Sequence, residues 1–227
     1  MKLTYYGHAC CSVQIGNRVL MFDPFISPNP LAKDIDVNAI HADYILISHG
    51  HNDHVADALE IARRCNTTIV CNFEVMGWFN KLGYNKCHPM NKGGNWSFPE
   101  FKVKMTHAVH SSGMPDGSYG GSSSGFIIYG DDKQFYYSGD TGLTTDMKLI
   151  PQYWATLDFA LLPVGDNFTM GVGDAIIAAG FIECKKIIGV HYDTFGYIEI
   201  NHETAKQQFA NAGLQLLLPK IGETIDL

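Results

Sequence analysis

The chain has 227 residues, 46% of them hydrophobic, so it can form one large domain or two small ones with a substantial core. Its formal net charge of −7 argues against a scaffold that binds nucleic acid through a basic surface. No segment approaches the roughly 20 apolar residues of a membrane span, and the N-terminal residues lack the apolar core of a signal peptide, so we expect a cytoplasmic protein with neither a membrane nor nucleic acid as partner.

Short strands dominate the beginning of the chain, and strands alternate with helices after that. Gly16-Asn17 lies between two β-like runs and indicates a two-residue hairpin turn, and Gly83 suits the end of a helix. A continuous apolar run at 43–47 predicts a strand buried on both faces. The predicted elements up to Gly83 are strands at 2–6, 11–15, 18–23 and 43–47, a helix at 55–64, a strand at 68–71 and a helix at 73–82.

The second part of the chain roughly repeats this order of elements, and no linker rich in proline or glycine divides the two parts. We therefore predict one domain over residues 1–227, with mixed sheets and helices on their outer faces. Its predicted elements are strands at about 84–88, 96–98 and 102–109, a glycine- and serine-rich loop at 111–124, strands at 126–129 and 134–138 joined by 130–133, a helix at about 143–154, a strand at 158–162, a loop at 163–173, a helix at 174–182, a strand at 186–190, a helix at 201–212 and strands near 214–218 and 223–226.

Metal-binding side chains are concentrated where the strand at 43–47 meets the next helix. His49 and His51 point to the same side of an extended segment, and Asp53 and His54 can face the same point from the turn into the helix. Neutral imidazole and carboxylate suit Zn²⁺, Mn²⁺ and Fe²⁺. A histidine-rich surface turn is the simplest alternative. A closed tetrahedral structural site is another, and only further ligands elsewhere in the chain argue against it.

Three further candidate ligands stand where predicted strands end, namely His110, Asp140 and His191. Ligand-binding residues gather at the carboxyl ends of parallel strands, and seven ligands suit two metal ions that share a carboxylate. Each candidate has an alternative interpretation. His107 is an alternative to His110 as the third histidine ligand. Asp140 could cap a helix, and His191 could be a hydrogen-bonded core histidine. We favour the ligand interpretation for all three, and prefer His110 because it lies at the strand end.

The arrangement of these motifs resembles the metallo-β-lactamase fold superfamily. The resemblance rests on Ser48-His-Gly-His-Asn-Asp-His54, a lone histidine, Ser138-Gly-Asp-Thr-Gly142 and a second lone histidine. Other stretches resemble one branch, the small single-domain metal-dependent hydrolases related to L-ascorbate-6-phosphate lactonase (UPF0173-like): Gly7-His8-Ala9, Leu20-Met-Phe-Asp-Pro-Phe25, Pro163-Val-Gly-Asp-Asn-Phe-Thr-Met170 and His191-Tyr-Asp-Thr-Phe195. The resemblance implies an α/β (α+β) fold, a four-layer αββα sandwich with two mixed β-sheets.

The resemblance also implies how the ligands divide between two metal ions. His49, His51 and His110 would hold the first ion. Asp53, His54 and His191 would hold the second, and Asp140 would bridge them. A hydroxide between the ions would be the nucleophile, and Asp53 could also orient it or take a proton. The resemblance favours His8 and Asp23 as residues that orient a ligand imidazole, although Asp23 before a proline could simply initiate a turn.

Two divalent ions about 3.5–4 Å apart favour hydrolysis, because they lower the pKa of bound water and polarise a carbonyl or phosphoryl oxygen. We predict a metal-dependent hydrolase of a small-molecule ester, lactone or phosphoester, with zinc as the expected metal and manganese, iron or nickel as alternatives. The alternative functions are a nucleic-acid phosphodiesterase or nuclease of the same fold, and a non-hydrolytic metal-binding protein. The sequence leaves open whether the chain forms a homo-oligomer. The loops at 111–124 and 163–173 are expected to rim the pocket, the first as a mobile lid or a flexible surface linker.

Overall fold

The computed structural model describes residues 1–130 and 132–227. Its strands, numbered in chain order, are β1 Lys2–Gly7, β2 Cys10–Ile15, β3 Arg18–Phe22, β4 Tyr44–Leu46, β5 Thr68–Asn72, β6 Cys87–Met90, β7 Asn95–Ser97, β8 Lys102–His107, β9 Ser124–Tyr129, β10 Gln134–Tyr137, β11 Phe159–Pro163, β12 Lys186–Val190, β13 Gln215–Leu217 and β14 Thr224–Asp226. Its α-helices are α1 Asn52–Val55, α2 Ala58–Cys65, α3 Phe73–Lys81, α4 Val172–Phe181 and α5 His202–Asn211.

The strands form two mixed sheets that repeat the same plan. The first sheet has the order β14-β1-β2-β3-β4-β5-β6 and the second the order β13-β12-β11-β10-β9-β8-β7. In the first sheet the pairs from β14 to β3 are antiparallel and those from β3 to β6 are parallel. In the second, the pairs from β7 to β10 are antiparallel and those from β10 to β13 are parallel. The mixed sheets and the repeated element order are confirmed.

The first sheet is buried on both faces because its residues alternate between two clusters. In β3, Leu20 and Phe22 point toward the second sheet, where the Phe22 ring lies 4.8 Å from that of Tyr137. Met21 between them points the other way and joins the cluster that contains Ile61 of α2 and residues of α3. The period of two along the strand therefore places the first sheet between the helices α2–α3 and the second sheet.

The outer face of the second sheet is covered by α4 and α5. Phe209 of α5 and Ala178 of α4 are fully buried in the cluster that also holds Leu216 of β13. The layers therefore follow the order α-β-β-α, and the predicted four-layer sandwich is confirmed. No helix in the described residues is long and apolar enough to cross a membrane.

Several predicted boundaries hold, and the helix ends carry the expected caps. The side chain of Asn201 accepts a hydrogen bond from the backbone N–H of Thr204 at the start of α5, as an N-cap does. Gly83 follows α3 with φ +80°, a left-handed conformation that favours glycine. The predicted turn at 130–133 includes Asp131, which lies outside the described residues.

Other predicted boundaries are wrong. The helix predicted at 55–64 is two helices, and α1 begins at Asn52, so Asp53 and His54 lie in a helical turn. The helix predicted at 143–154 is a 3-10 helix at Thr145–Lys148 followed by a π-helical turn at Ile150–Trp154. Pro151 lacks the backbone N–H that an α-helix needs there, which explains the irregular geometry.

Candidate metal centre

The predicted site residues converge at one edge of the sandwich, where strands of both sheets end. The sequence-predicted residues lie after β1 (His8), β3 (Asp23), β4 (His49 and His51), β8 (His110), β10 (Asp140) and β12 (His191), and in α1 (Asp53 and His54). Strands from both sheets therefore contribute to one site. Two successive antiparallel pairings give β1 the direction of β3 and β8 the direction of β10, and the other contributing strands are parallel to these. The carboxyl ends of all six strands therefore meet at the same edge.

A carboxylate oxygen of Asp140 occupies the centre of the site. Its Oδ2 atom faces the Nε2 atoms of histidines from both predicted ligand groups, at 3.0 Å from His191, 3.2 Å from His54, 3.6 Å from His110 and 3.9 Å from His49. One oxygen atom thus lies between the two groups. This is the position that a ligand shared by two cations requires.

The donor atoms around that oxygen form two main groups, which a third cluster of Asp23, His49 and His54 connects. The donor atoms of His49, His51 and His110 lie within 4.8 Å of one another. A second group, also within 4.8 Å, consists of His8, Asp53, His54 and His191. The division matches the predicted one, except that His8 joins the second group. The structure places His107 elsewhere, with its Nδ1 atom 3.4 Å from the carboxylate of Asp146.

Asp23 holds His54 in a defined orientation. Its Oδ2 atom accepts hydrogen bonds from Nδ1 of His54 at 2.8 Å, from Oγ of Ser48 at 2.5 Å and from Oη of Tyr137 at 2.7 Å. Its Oδ1 atom accepts the backbone N–H of Ser48 at 2.7 Å. Because Nδ1 of the imidazole donates to Asp23, its Nε2 atom is directed at Asp140. Asp23 therefore has the geometry of a residue that orients a ligand imidazole.

His8 acts on Asp53 in a similar way. Its Nε2 atom lies 3.0 Å from Oδ2 of Asp53, and its Nδ1 atom lies 3.0 Å from Oγ1 of Thr194. Burial, followed by the neighbouring His191, lowers the pKa of His8 to about 4, so the ring is neutral at pH 7. Since a carboxylate can only accept, the single ring proton is on Nε2 and is donated to Asp53. His8 thereby fixes the direction in which this carboxylate points.

The electrostatic environment prepares the first group for a cation. Burial, followed by the charge of His54, lowers the pKa of His49 well below its usual value. Burial also lowers the pKa of His51 and that of His110. The three rings are therefore neutral at pH 7, which is the form that binds metal ions.

The carboxylates carry the complementary charge. Burial alone would raise the pKa of Asp140, but the imidazoles of His54 and His191 hold it well below its usual value. Burial likewise opposes ionisation of Asp53, yet His54 and the hydrogen bond from His8 keep its pKa below its usual range. Asp140 and Asp53 are therefore both ionised, and both lie beside histidines of the site. Burial alone would lower the pKa of His54, but Asp140, Asp53 and Asp23 raise it well above its usual value, so this imidazole balances part of the carboxylate charge. A divalent cation could take over that balance and leave His54 neutral as a ligand.

One buried atom shows directly that the site fits a metal ion. Nε2 of His54 is buried and has no hydrogen-bond partner within the described residues, although it faces Oδ2 of Asp140. An unpaired buried polar atom costs about 1–3 kcal/mol. A divalent cation would satisfy this nitrogen together with its neighbours, because imidazole and carboxylate are its preferred donors. The donor set therefore fits divalent metal ions.

The backbone at the site is locally strained. His8, Asp23 and His191 have φ angles of 54°, 42° and 56°, in the left-handed region that non-glycine residues rarely adopt. The N–H of His191 donates to the carbonyl of His8 at 2.8 Å, which couples two of these residues across the sheets' edge. Strain of this kind costs about 1–3 kcal/mol per residue and concentrates at functional sites. The strained turns direct the three side chains into the site, His8 toward Asp53, Asp23 toward His54 and His191 toward Asp140.

Gly139 permits the close approach of the two strand ends that carry Asp140 and His49. It has φ +60°, and a Cβ atom at this position would lie 2.6 Å from Cβ of Ser48. Any larger residue would push the Ser138–Asp140 turn away from the Ser48–His54 motif. The glycine of the Ser-Gly-Asp-Thr-Gly sequence is therefore required by packing as well as by backbone conformation.

The loop at 111–124 is attached to the metal-binding motif by specific hydrogen bonds. Oγ of Ser112 accepts the backbone N–H of Gly50 at 3.1 Å and donates to the carbonyl of Gly120 at 2.7 Å. Nδ2 of Asn72 donates to the same carbonyl at 2.8 Å. Ser111 places its Oγ atom 3.3 Å from Nε2 of His51. The loop is therefore an ordered rim of the site.

Sequence reasoning missed several residues that support the predicted ones. Ser48, Thr194 and Ser112 adjoin predicted residues or the metal-binding loops, so their position in the chain was a usable signal. The sequence around Tyr137 gives no such signal, because a tyrosine in an apolar strand is typical of a core residue. Only the tertiary structure shows that its hydroxyl contacts Asp23.

Comparison with known proteins agrees with this architecture. A family model described as a β-lactamase superfamily domain matches residues 18–192. A relative from Flavobacterium johnsoniae, named a UPF0173 metal-dependent hydrolase, is 53% identical over 227 residues, with 100% of both chains covered. A relative of the same name from Christiangramia forsetii is 54% identical over 228 residues, again covering 100% of both chains.

A solved structure supports the same assignment. A metallo hydrolase from the hyperthermophilic archaeon Ignicoccus hospitalis matches with a TM-score of 0.89 and 32% identity, covering 99% of this chain and 97% of that chain. The family model, the full-length relatives and this structure all match the part of the chain that carries the clustered histidines and aspartates. The chain therefore belongs to the UPF0173 metal-dependent hydrolase family of the β-lactamase superfamily.

Proposed function

We propose that this protein is a hydrolase that uses two divalent metal ions, with zinc as the expected metal, to cleave a small-molecule ester, lactone or phosphoester. The observation that carries the proposal is the position of Asp140, whose Oδ2 atom lies 3.0–3.9 Å from histidines of both donor groups. A single structural site would need only four ligands. A carboxylate oxygen between two donor groups is what a pair of ions would share.

Each group of residues has a distinct role in this proposal. His49, His51 and His110 would hold one ion, Asp53, His54 and His191 would hold the other, and Asp140 would contact both. The ions would supply Lewis acidity for the substrate oxygen and lower the pKa of water enough to provide hydroxide at neutral pH. Asp23 and His8 keep the ligand side chains of the second group in their orientations.

Asp53 is the residue placed to act on the attacking water. Its side chain is 25% exposed and lines the open cleft, whereas Asp140 is buried. Its pKa lies below its usual range, so it is ionised at pH 7 and accepts hydrogen bonds. The bond from His8 occupies one side of the carboxylate. Oδ1 of Asp53 accepts no hydrogen bond from the described residues, so it could accept a hydrogen bond from water and orient the water oxygen toward the substrate.

We further propose that residues 1–227 work as one domain. His49 and His51 follow a strand of the first sheet, and His110 follows a strand of the second. The two sheets share one buried core cluster. Neither sheet supplies the complete first group, so neither sheet could form the site alone.

Metal analysis and a substrate screen test this proposal. Protein reconstituted with Zn²⁺ or Mn²⁺ and freed of excess ion should contain close to two equivalents, and should hydrolyse at least one class among lactones, carboxylic esters and phosphoesters. His49→Ala should lower the metal content and abolish the activity. His41→Ala is the matched control, because this imidazole is exposed and lies 3.5 Å from Asp43 rather than in either group.

The two parts of the proposal fail separately. One equivalent or less under metal-replete conditions would refute the two-ion site. Full activity of the His49→Ala variant would refute the role of the site in hydrolysis, whatever the metal content.

A further inference from the structure

The cleft beside Asp140 is lined by two kinds of side chain. It encloses about 710 Å³, and its lining includes metal-binding residues together with Asn52 and Ser111. Apart from Gly196, the rest of the lining consists of Phe168, Phe195 and Tyr197, from the loop before α4 and the loop after β12. We call these three side chains the aromatic wall. None of them is needed to hold a metal ion.

The aromatic wall is exposed to solvent in a way that folding does not explain. Tyr197 is 79% exposed, Phe168 is 49% exposed and Phe195 is 37% exposed. The rings of Phe168 and Tyr197 lie 6.3 Å apart at 80°, in an edge-to-face arrangement. Phe195 packs its edge against the ring of His8 at 5.3 Å, so it is continuous with the site. A contiguous exposed apolar surface beside a reactive centre indicates a binding surface.

The cleft offers no cationic side chain to a bound molecule. No lysine or arginine is among its lining residues in the described chain. The segments that supply the lining, 34–62, 105–132, 134–147, 149–184 and 187–205, contain neither residue. Proteins recognise phosphate and carboxylate groups chiefly through arginine, lysine or helix N-termini. An anionic group held away from the metal ions would therefore find no lysine or arginine among the described lining residues, in a protein with net charge −7.

We infer that the aromatic wall binds an uncharged aryl group of the substrate, which is a neutral carboxylic ester or lactone. This inference rests on the proposed hydrolytic function and narrows its substrate class to molecules whose group away from the reacting bond is an uncharged aryl group. Aromatic groups pack favourably against Phe and Tyr rings in offset or edge-to-face geometry. In the reaction, the oxygen of water bonds to the acyl carbon and the acyl C–O bond breaks. One proton of the water passes to the leaving alkoxide, and the new carboxylic acid releases the other to solvent.

Three methyl esters that differ only away from the reacting bond test the inference. They are methyl phenylacetate, methyl acetate and the para-carboxylate derivative of methyl phenylacetate, each assayed with the zinc-loaded protein by pH-stat. We expect kcat/KM to be about tenfold higher for the neutral aryl ester than for either of the others, as one good aromatic contact allows. Equal values for the three esters, or a preference for the carboxylate, would overturn the inference.

Binding of the corresponding hydroxamates supplies a readout that is independent of turnover. Phenylacetohydroxamate should bind the zinc-loaded protein about tenfold more tightly than acetohydroxamate in calorimetric titrations. The double variant Phe168→Ala/Tyr197→Ala should lose this difference while binding acetohydroxamate as the original protein does. Tyr153→Ala is the matched control, because Tyr153 is 75% exposed and lies outside the cleft.

A change of charge provides the converse experiment. Phe168→Lys should raise the affinity for the para-carboxylate hydroxamate and lower that for the neutral aryl hydroxamate. If the double variant keeps the full preference for the aryl hydroxamate, the wall does not bind the aryl group. If the hydroxamates behave as expected but no ester or lactone is hydrolysed, the proposed function fails and the aryl subsite remains.

Discussion

Tyr137→Phe removes one hydroxyl from the support of the metal centre and leaves the packing of the ring intact. Oη of Tyr137 donates to Oδ2 of Asp23 at 2.7 Å, and Asp23 in turn orients His54. Burial, followed by the charge of Asp23, raises the pKa of Tyr137 well above its usual value, so the hydroxyl remains a donor at every physiological pH. The ring contact with Phe22 at 4.8 Å does not involve the oxygen.

The expected magnitude follows from the bonds that remain. Asp23 is fully buried, and a hydrogen bond to such a charged group contributes about 1.5–3 kcal/mol. Because Ser48 and His54 still donate to the same oxygen, we expect a loss near the lower end, about 1.5 kcal/mol of unfolding free energy. The looser imidazole should also weaken metal binding in the second group by about 10–100-fold, as the loss of a supporting hydrogen bond to a metal ligand does.

Urea unfolding and competitive metal titration measure these two quantities. Tyr136→Phe is the matched control, because Tyr136 is equally buried in the same strand but has no contact with Asp23. We expect the control to retain the metal affinity of the original protein. If Tyr137→Phe and Tyr136→Phe bind metal equally well, Tyr137 does not position His54, and the chain of contacts from Tyr137 through Asp23 is structural only.

Three other predictions concern the turn, the ligand choice and the rim loop. Gly139→Ala should lower the free energy of unfolding, measured in urea, by more than about 2 kcal/mol, because the added Cβ would meet Ser48. Gly16→Ala is the control, since Gly16 has a similar φ of +54° but open space around it, and should lower the free energy of unfolding by about 1 kcal/mol. His110→Ala should lose bound metal on elemental analysis, whereas His107→Ala should keep it, and the reverse result would exchange their roles. Ser112→Ala should speed proteolytic cleavage within 111–124, because two hydrogen bonds that hold the loop are lost; an unchanged cleavage rate would show that other contacts order the loop.

The sequence predicted the order of the elements well because most of its signals are local. Apolar runs marked nearly all strands, and residues 186–190 were predicted with the observed bounds. The failure at 143–154 has a local cause as well, since a proline within an apolar pattern permits several helical geometries. The strand predicted at 102–109 is shorter because the N–H of Val109 bonds to the side chain of Thr141, a partner 32 residues away. Such a contact leaves no trace in the sequence around Val109.

By itself, the sequence determined which residue types gather and at which strand ends they stand. The Ser48–His54 motif is local, and strand ends can be read from periodicity, so the convergence of His110, Asp140 and His191 could be expected before the structure was known. The tertiary structure alone decided three things: that the partner of His8 is the carboxylate of Asp53 and not an imidazole, that Tyr137 supports His54 through Asp23, and that an uncharged aromatic wall lines the cleft beside the donors. The physical reason is that hydrogen-bond partners and cleft walls come from residues far apart in the chain, whose distances depend on how the two sheets pack.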